Sequence, residues 1–316
     1  MIMRPPFLRD GPEPPVDPLS EVLRLIEVHG AVSGGFSVGG AWTTRFELSA
    51  PLKFVGMVRG SAVLHTDGAA PVDIGTGDVV VLNNRRWATL SGGAGDGVPV
   101  RFTVTEQEPF LPVDGGGDDV VLGGHIDVNR VGEELLDAAL PPVVHVRAGA
   151  PDAAQLRHLL EGLYDEISSD RVGGAFAVSQ HSQLLVLAML RAYLAQGEDL
   201  PAGWLRVLAD DRLRPAVRLI HAAPGQPWRL EEMARAAAMS RTSFAERFRA
   251  VAGVPPLTYL NSWRMRLAQQ ALRNADIRIG PLAVELGYTS ESAFSTAFKR
   301  TVGVSPRRYR VEVAQK

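Results

Sequence analysis

A pattern near the C-terminus recurs at a separation of 50 residues and limits what the chain can become. Phe244-x3-Phe248-x4-Gly253-Val254-x-Pro256-x2-Tyr259 returns as Phe294-x3-Phe298-x4-Gly303-Val304-x-Pro306-x2-Tyr309. Six identities at one offset mark a duplicated module. Two copies are too few for a solenoid, whose core needs a stack of repeats.

Each copy reads as a helix-turn-helix. Leu230, Met233, Ala234 and Ala237 fall at i, i+3, i+4 and i+7, the apolar stripe of a short helix. Ala238-Met239 then makes a turn, Ser240 suits an N-cap, and Phe244, Phe248 and Val251 form the inward face of a second helix. In the later copy Leu282, Ala283 and Leu286 precede a turn at Gly287-Tyr288-Thr289. Ser290 caps a helix expected to bury Phe294, Phe298 and Val302. Gly253 and Gly303 stand where a left-handed C-cap residue costs least.

Two ordinary helical hairpins would account for the stripes, so the outward faces must separate the readings. Thr242, Ala245, Glu246 and Arg249 lie opposite the first phenylalanine pair, and Ser292, Ser295, Thr296 and Lys299 opposite the second. Short polar side chains flanked by basic ones suit a helix set against base edges and phosphates. Arg249, Lys299, Arg300, Arg307 and Arg308, on or just beyond these helices, are placed for phosphate. Between the copies, 257–273 predicts one long helix carrying Arg264 and Arg266. It would hold two readers about one DNA turn, ~34 Å, apart.

Trp228-x4-Met233-Ala234-x4-Met239-Ser240-Arg241-x2-Phe244-x3-Phe248 resembles the AraC/XylS transcription-regulator domain. So does the run from Ala283-x2-Leu286-Gly287-Tyr288-x-Ser290 through Phe298-Lys299-Arg300-x2-Gly303-x-Ser305-Pro306-x2-Tyr309-Arg310, and the likeness covers 206–311. The resemblance implies two helix-turn-helix units in adjacent major grooves of double-stranded DNA. By position it implies Arg241, Thr242, Ala245 and Glu246, then Glu291, Ser292 and Thr296, as the base-facing residues. Ala245 and Glu246 depart from the long polar or basic residues of some relatives. Glu246 suits a cytosine amino group better than guanine.

Charge is distributed accordingly. The 316 residues carry a net charge of −2, yet 206–316 holds 19 Lys and Arg against 9 Asp and Glu. The other 205 residues hold 14 against 26. A basic C-terminal domain behind an acidic one points to nucleic acid at one end only. The chain has no cysteine, which excludes disulfides, thiol sensing and cysteine–zinc sites. No apolar run approaches the ~20 residues of a membrane span, and a cytoplasmic protein is expected.

The fold class expected is multidomain α+β: a cupin-like antiparallel β-barrel, a helical connector and an all-α domain with two helix-turn-helix motifs. Residues 1–16, with five prolines, predict a disordered tail, and a short apolar helix follows through Val22, Leu23, Leu25 and Ile26. From 34 to 104, short β-rich runs (42–48, 53–58, 62–65, 79–82, 88–91, 100–104) alternate with Gly, Pro, Asp and Asn turns. That spacing predicts a small barrel or sandwich within 17–125. Lys53-Phe54-x4-Arg59-Gly60 and Gly75-x-Gly77-Asp78-Val79 resemble the cupin-type sensor often joined to AraC-type readers. Leu122-Gly123-Gly124-His125 and 140–146 resemble its later segments. The connector, 126–205, carries amphipathic helices through Leu156–Ile167 and 176–196. Their apolar surface suits either burial under the strands or a second copy of the chain. The reader domain follows over 206–316.

No chemistry of catalysis is legible. The seven histidines form no His-x-His or His-x3-His pair, whereas a metal needs about three convergent ligands. His65 stands alone, and no nucleophile triad or phosphate-binding glycine loop occurs. No cofactor, metal or catalytic residue is therefore expected. The competing reading, a metal-dependent cupin enzyme fused to a DNA-binding domain, lacks its ligand set. The expectation is a one-component regulator whose barrel holds a small organic effector, with Trp42, Trp87 and Arg101 as candidate walls. A homodimer is a further expected partner, as is RNA polymerase where the outcome is activation.

Overall fold

The computed structural model describes residues 17–30, 34–93, 100–102, 110–150, 153–169, 171–196, 200–274 and 276–314. The tail expected over 1–16 lies outside them. Helix α1 (Pro18–Ile26) leads into strands β1 (Val28–Gly30), β2 (Gly34–Val38), β3 (Trp42–Glu47), β4 (Leu52–Arg59) and β5 (Ser61–Thr66). Next come β6 (Val72–Gly75), β7 (Val79–Asn83), β8 (Trp87–Gly92), β9 (Val100–Phe102), β10 (Phe110–Pro112), β11 (Asp119–His125) and β12 (Asp127–Val128). Helix α2 (Arg130–Ala139), β13 (Val143–Val146), α3 (Ala153–Ile167), α4 (Gly174–Gln196) and α5 (Trp204–Ala209) follow. The remainder is helical: α6 (Arg214–Ala222), α7 (Leu230–Ala236), α8 (Arg241–Ala252), α9 (Pro256–Ala271), α10 (Ile279–Glu285), α11 (Glu291–Val302) and α12 (Pro306–Ala314). Residues 26–209 with 250–253 form one compact unit; those up to 25, with 210–249 and 254–316, form another.

In the strand-rich unit one sheet runs β10-β2-β11-β4-β7-β13 and the other β6-β5-β8-β3-β9. All pairs in them are antiparallel except β10 with β2 and β3 with β9. Phe36, Val55, Met57, Val80, Leu82 and Val121 from the first sheet meet Trp42, Leu64, Ala88 and Leu90 from the second in one core. Facing sheets sharing a core make a sandwich. Among the described residues no strand pair joins the two sheets into a ring.

The pattern of each strand follows from what covers it. β5 buries Ala62, Leu64 and Thr66 and leaves Ser61 and His65 exposed, the alternation of a sheet with one wet face. β4 is buried from Phe54 to Val58, because α3 covers its outer side. A Cβ added at Gly56 would sit 2.5 Å from Leu160 Cδ2, so glycine is what lets that helix approach. The Gly77-Asp78 turn is equally specific. Gly77 has φ +84°, and the Asp78 carboxylate accepts from the backbone N–H groups of Gly75 and Ala148 and lies 3.0 Å from His145 Nε2. Burial pushes that carboxyl up, but these hydrogen bonds outweigh it and hold the pKa below the ordinary value.

The connector helices α3 and α4 pack on each other. Leu185, Val186 and Met189 of α4 are buried, while Phe176 and Leu184 stand exposed. No helix is long and apolar enough to cross a membrane among the described residues.

In the helical unit the duplication is geometric as well as sequential. Phe244, Phe248 and Tyr259 make ring contacts at 5.6 and 5.4 Å, and Phe294, Phe298 and Tyr309 repeat them at 5.7 and 5.6 Å. Phe248 meets Tyr259 and Phe298 meets Tyr309 at the same interplanar angle, 75°. Helix α9 serves both copies. It supplies Tyr259 to the first, and Met265 and Ala268, with Leu272 just beyond its end, to the core of the second. Val302, expected in that core, is only partly buried against it.

His221 closes the base of this unit. Its ring stacks on Trp263 at 3.8 Å between centroids, and Nε2 lies 3.0 Å from the Tyr259 hydroxyl. Glu21 of α1 approaches Nδ1 to 3.2 Å, without the alignment of a hydrogen bond. Burial drives the imidazole pKa below 6.5; the nearby Glu21 carboxylate opposes that shift and Arg266 reinforces it. A folded-state pKa below the unfolded one contributes stability that is complete above 6.5 and is lost as pH falls through the folded value. Thermal melting of the full chain should therefore weaken on acidification below pH 6.5, before the carboxylates titrate. His221→Gln should flatten that slope, and parallel curves for variant and parent would refute the assignment.

Candidate nucleic-acid interface

The two reader helices present the same pattern of exposure. On α8, Phe244 and Phe248 are fully buried, Arg241, Thr242, Glu246 and Arg249 are exposed, and Ala245 is half-buried. On α11, Phe294 and Phe298 are buried, Glu291, Ser292, Thr296, Lys299 and Arg300 are exposed, and Ser295 is half-buried. Each burial class repeats at an offset of 50. An inward aromatic pair thus fixes which face of each helix is free.

Local chemistry sets how each helix begins and ends. The Ser240 hydroxyl accepts from the Ser243 N–H at 3.2 Å, and Ser290 accepts from Ala293 at 3.1 Å, satisfying one otherwise unpaired donor in each first turn. Gly303 ends α11 in the left-handed conformation, with its N–H on the Lys299 carbonyl. The turns differ by one residue. Met239 N–H donates to Ala234 and Tyr288 N–H to Ala283, an offset of 49 that becomes 50 once the second helices begin. Ala238, with φ +52°, occupies the left-handed position that Gly287 fills at +79°. A non-glycine residue there is uncommon, and nothing in its sequence neighbourhood signals it.

The charges facing outward are unevenly paired. Arg241 bonds Glu231 at 3.0 Å, Arg308 bonds Glu312 at 2.7 Å, and Arg307 approaches Glu291 to 3.9 Å. Arg249, Lys299 and Arg300 carry no ion pair among the described residues. Ser292, Ser295, Thr296, Lys299, Arg300 and Ser305 line one shallow depression on α11 and just after it. The Thr296 hydroxyl donates back to the Ser292 carbonyl at 3.0 Å, which orients it along the helix. The face is thus a short polar strip bordered by free cations.

Sequence reasoning placed Arg264 on the helix between the copies but did not foresee what it holds. It is 8% exposed, and it donates from Nε to the Pro224 carbonyl at 2.6 Å and from Nη2 to Gln226 at 2.8 Å. Its guanidinium also lies over the Tyr288 ring, 5.8 Å from the centroid. One side chain therefore ties the loop ahead of the first copy to the turn of the second.

The strand-rich unit contains a cavity of about 190 Å³. Its walls include Phe36, Phe46, Phe54, Leu82, Leu90 and Leu122, with Lys53 among the lining residues. The walls anticipated from sequence lie elsewhere. Trp42 is buried in the sandwich core, where its indole N–H donates to Asp119 at 2.6 Å. Trp87 is covered by the Arg45 guanidinium at 4.5 Å, and Arg101 is exposed on β9. His65 is exposed on β5, and among the described residues no three His, Cys, Asp or Glu side chains converge as a metal site would require.

Comparison with known proteins fits this division. The Cupin family matches residues 17–195 and the family described as a helix-turn-helix domain matches 233–312. A putative AraC-like transcription regulator of Streptomyces antibioticus is 35% identical, across 93% of this chain and 98% of that protein. A putative AraC-like transcription regulator of Streptomyces lividans is 34% identical over 93% and 98%. The HTH-type transcriptional regulator MtrA of Neisseria gonorrhoeae is 28% identical over 95% and 100%.

Proposed function

The chain belongs to the AraC-like transcription regulators, with a cupin domain and a helix-turn-helix domain, and from that premise we propose how it works. Helices α8 and α11 enter successive major grooves of one duplex, and a small effector in the sandwich cavity biases that binding. The observation carrying the reading is the repeated exposure pattern of α8 and α11, with the aromatic faces buried and the polar faces open. Thr242, Glu246, Ser292 and Thr296 meet base edges. Arg249, Lys299, Arg300, Arg307 and Arg308 meet phosphates and fix the register.

The effector acts by binding one arrangement of the protein better than another, since equal affinity for both would shift nothing. The connector contributes the exposed Phe176 and Leu184 of α4, a surface suited to a second copy of the chain.

The specificity assignment is tested by changing Glu246 to Arg. A carboxylate accepts from a cytosine amino group, whereas a guanidinium reads guanine. Selection from a random duplex pool should show preference switched at one position of the site, by about 1–3 kcal/mol. An unaltered motif would remove Glu246 from the base-reading set.

A further inference from the structure

We propose that the sandwich cavity takes a compact apolar molecule bearing one anionic group, and that Lys53 holds the anion. This rests on the reading of the cavity as the effector site. Strand side chains alternate between faces, so Lys53 shares a face with Val55 and Met57, both in the sandwich core. Lys53 thus points to the inside of the sandwich, at the end of the β4 core stripe. Antiparallel pairing sets Val55 opposite Gly123 and Lys53 opposite His125, so His125 shares that face of the sheet.

The same register explains why there is a cavity. Gly123 pairs with Val55 on one side and Gly34 on the other. Gly34 shares its face with Phe36 and Val38, which are in the core. Two inward positions at one level therefore carry no side chain, and the space they leave lies against Phe36, Phe46, Val55, Leu82 and Leu90.

The charge of the ligand follows from the charges that line this space. The lining residues include two ionisable ones, Lys53 and Glu47. Glu47 falls on the opposite face of β3 from Phe46, is exposed, and accepts from Arg45 Nε at 3.0 Å. Lys53 makes no ion pair among the described residues. An apolar chamber with one unpaired inward ammonium selects an anion at that end and hydrocarbon at the other. Size follows from volume. Apolar cavities of about 150 Å³ accept a benzene-sized guest. At about 190 Å³ this one takes a single ring or short chain with its head group.

The experiment measures binding of hexanoate and cyclohexanecarboxylate to the full chain by calorimetry, beside hexanol, cyclohexylmethanol and hexylamine. The carboxylates should bind roughly tenfold to a hundredfold more tightly than the alcohols, the range of a charge-assisted hydrogen bond, and the amine not at all. Lys53→Met should abolish that advantage and Lys53→Arg should keep it; melting curves show that each variant is folded. Gly123→Val, which narrows the chamber, should weaken every ligand. If Gly123→Val weakens binding but the alcohols match the carboxylates, or Lys53→Met has no effect, the anion assignment falls and the cavity reading stands. If the carboxylates bind both Lys53→Met and Gly123→Val as they bind the parent, the site is elsewhere and both readings fall. No carboxylate binding to the parent chain would overturn the proposal.

Discussion

Replacing Arg264 with alanine should lower the stability of the helical unit by about 1–3 kcal/mol and relax its requirement for half-site spacing. The guanidinium is buried and donates to two loop carbonyls, those of Pro224 and Gln226, the second of which also accepts from the Trp228 N–H at 2.8 Å. Truncation leaves the Pro224 carbonyl without this donor, while Gln226 keeps the Trp228 N–H, and one polar group left unpaired costs about 1–3 kcal/mol. The loss is limited further because burial also disfavours the charged guanidinium in the parent, lowering its pKa. The functional consequence follows from backbone contacts. A Cβ at Gly287 would sit 2.2 Å from the Gly225 carbonyl oxygen, and one at Gly225 would sit 2.1 Å from that of Glu285. The loop before the first reader is thus pressed against the turn of the second, and Arg264 staples it there. Without the staple, that backbone contact and α9 join the readers with fewer constraints. Arg264→Lys should rescue little, since an ammonium cannot reproduce the planar fork. Denaturation shows the stability loss, and duplexes with altered spacing show the relaxed requirement. Unchanged discrimination between spacings in a folded variant would reduce Arg264 to a packing residue.

Phe298→Ala should cost about 3–5 kcal/mol and remove the second reader from DNA. Phe298 is wholly buried between Phe294 and Tyr309, at 5.7 and 5.6 Å, so truncation leaves a cavity the surrounding rings cannot fill. Phe248→Ala should do the same to the first reader, because its ring stands in the matching position. The two variants should therefore lose opposite halves of one footprint. Loss of the same half in both, or of neither, would contradict the assignment of one half-site to each copy.

The readers were legible because their period is strong. Phenylalanines four residues apart, serine caps and left-handed glycines each have a local cause, and all recur. The strands from 42 to 92 were legible for a similar reason, alternation between Gly and Asp turns, and β3, β4, β5, β7 and β8 fall within a residue or two of expectation. β11 was harder. Val120, Val121 and Leu122 are all buried and glycines follow, so no alternation marks a strand. β13 was read only as part of a family likeness, yet it pairs with β7 and carries the first sheet to Val146. The cavity eluded sequence reasoning for a physical reason. Large aromatic residues suggest pocket walls, but this chamber exists where Gly34 and Gly123 meet without side chains. Which glycines oppose each other depends on register across 89 residues of chain, which no local pattern reveals. Arg264 is similar, since its carbonyl partners lie about 40 residues away.

In the function proposed, one chain reads two adjacent major grooves at a fixed phase, with α8 on one half-site and α11 on the other. Selection of duplexes from a random pool by the purified full chain, followed by hydroxyl-radical footprinting, tests it directly. The expected result is a bipartite motif with half-sites about 10 base pairs apart, protected on one side of the helix. Inserting five base pairs between the halves should abolish tight binding. A single undivided half-site, or affinity indifferent to that insertion, would contradict it.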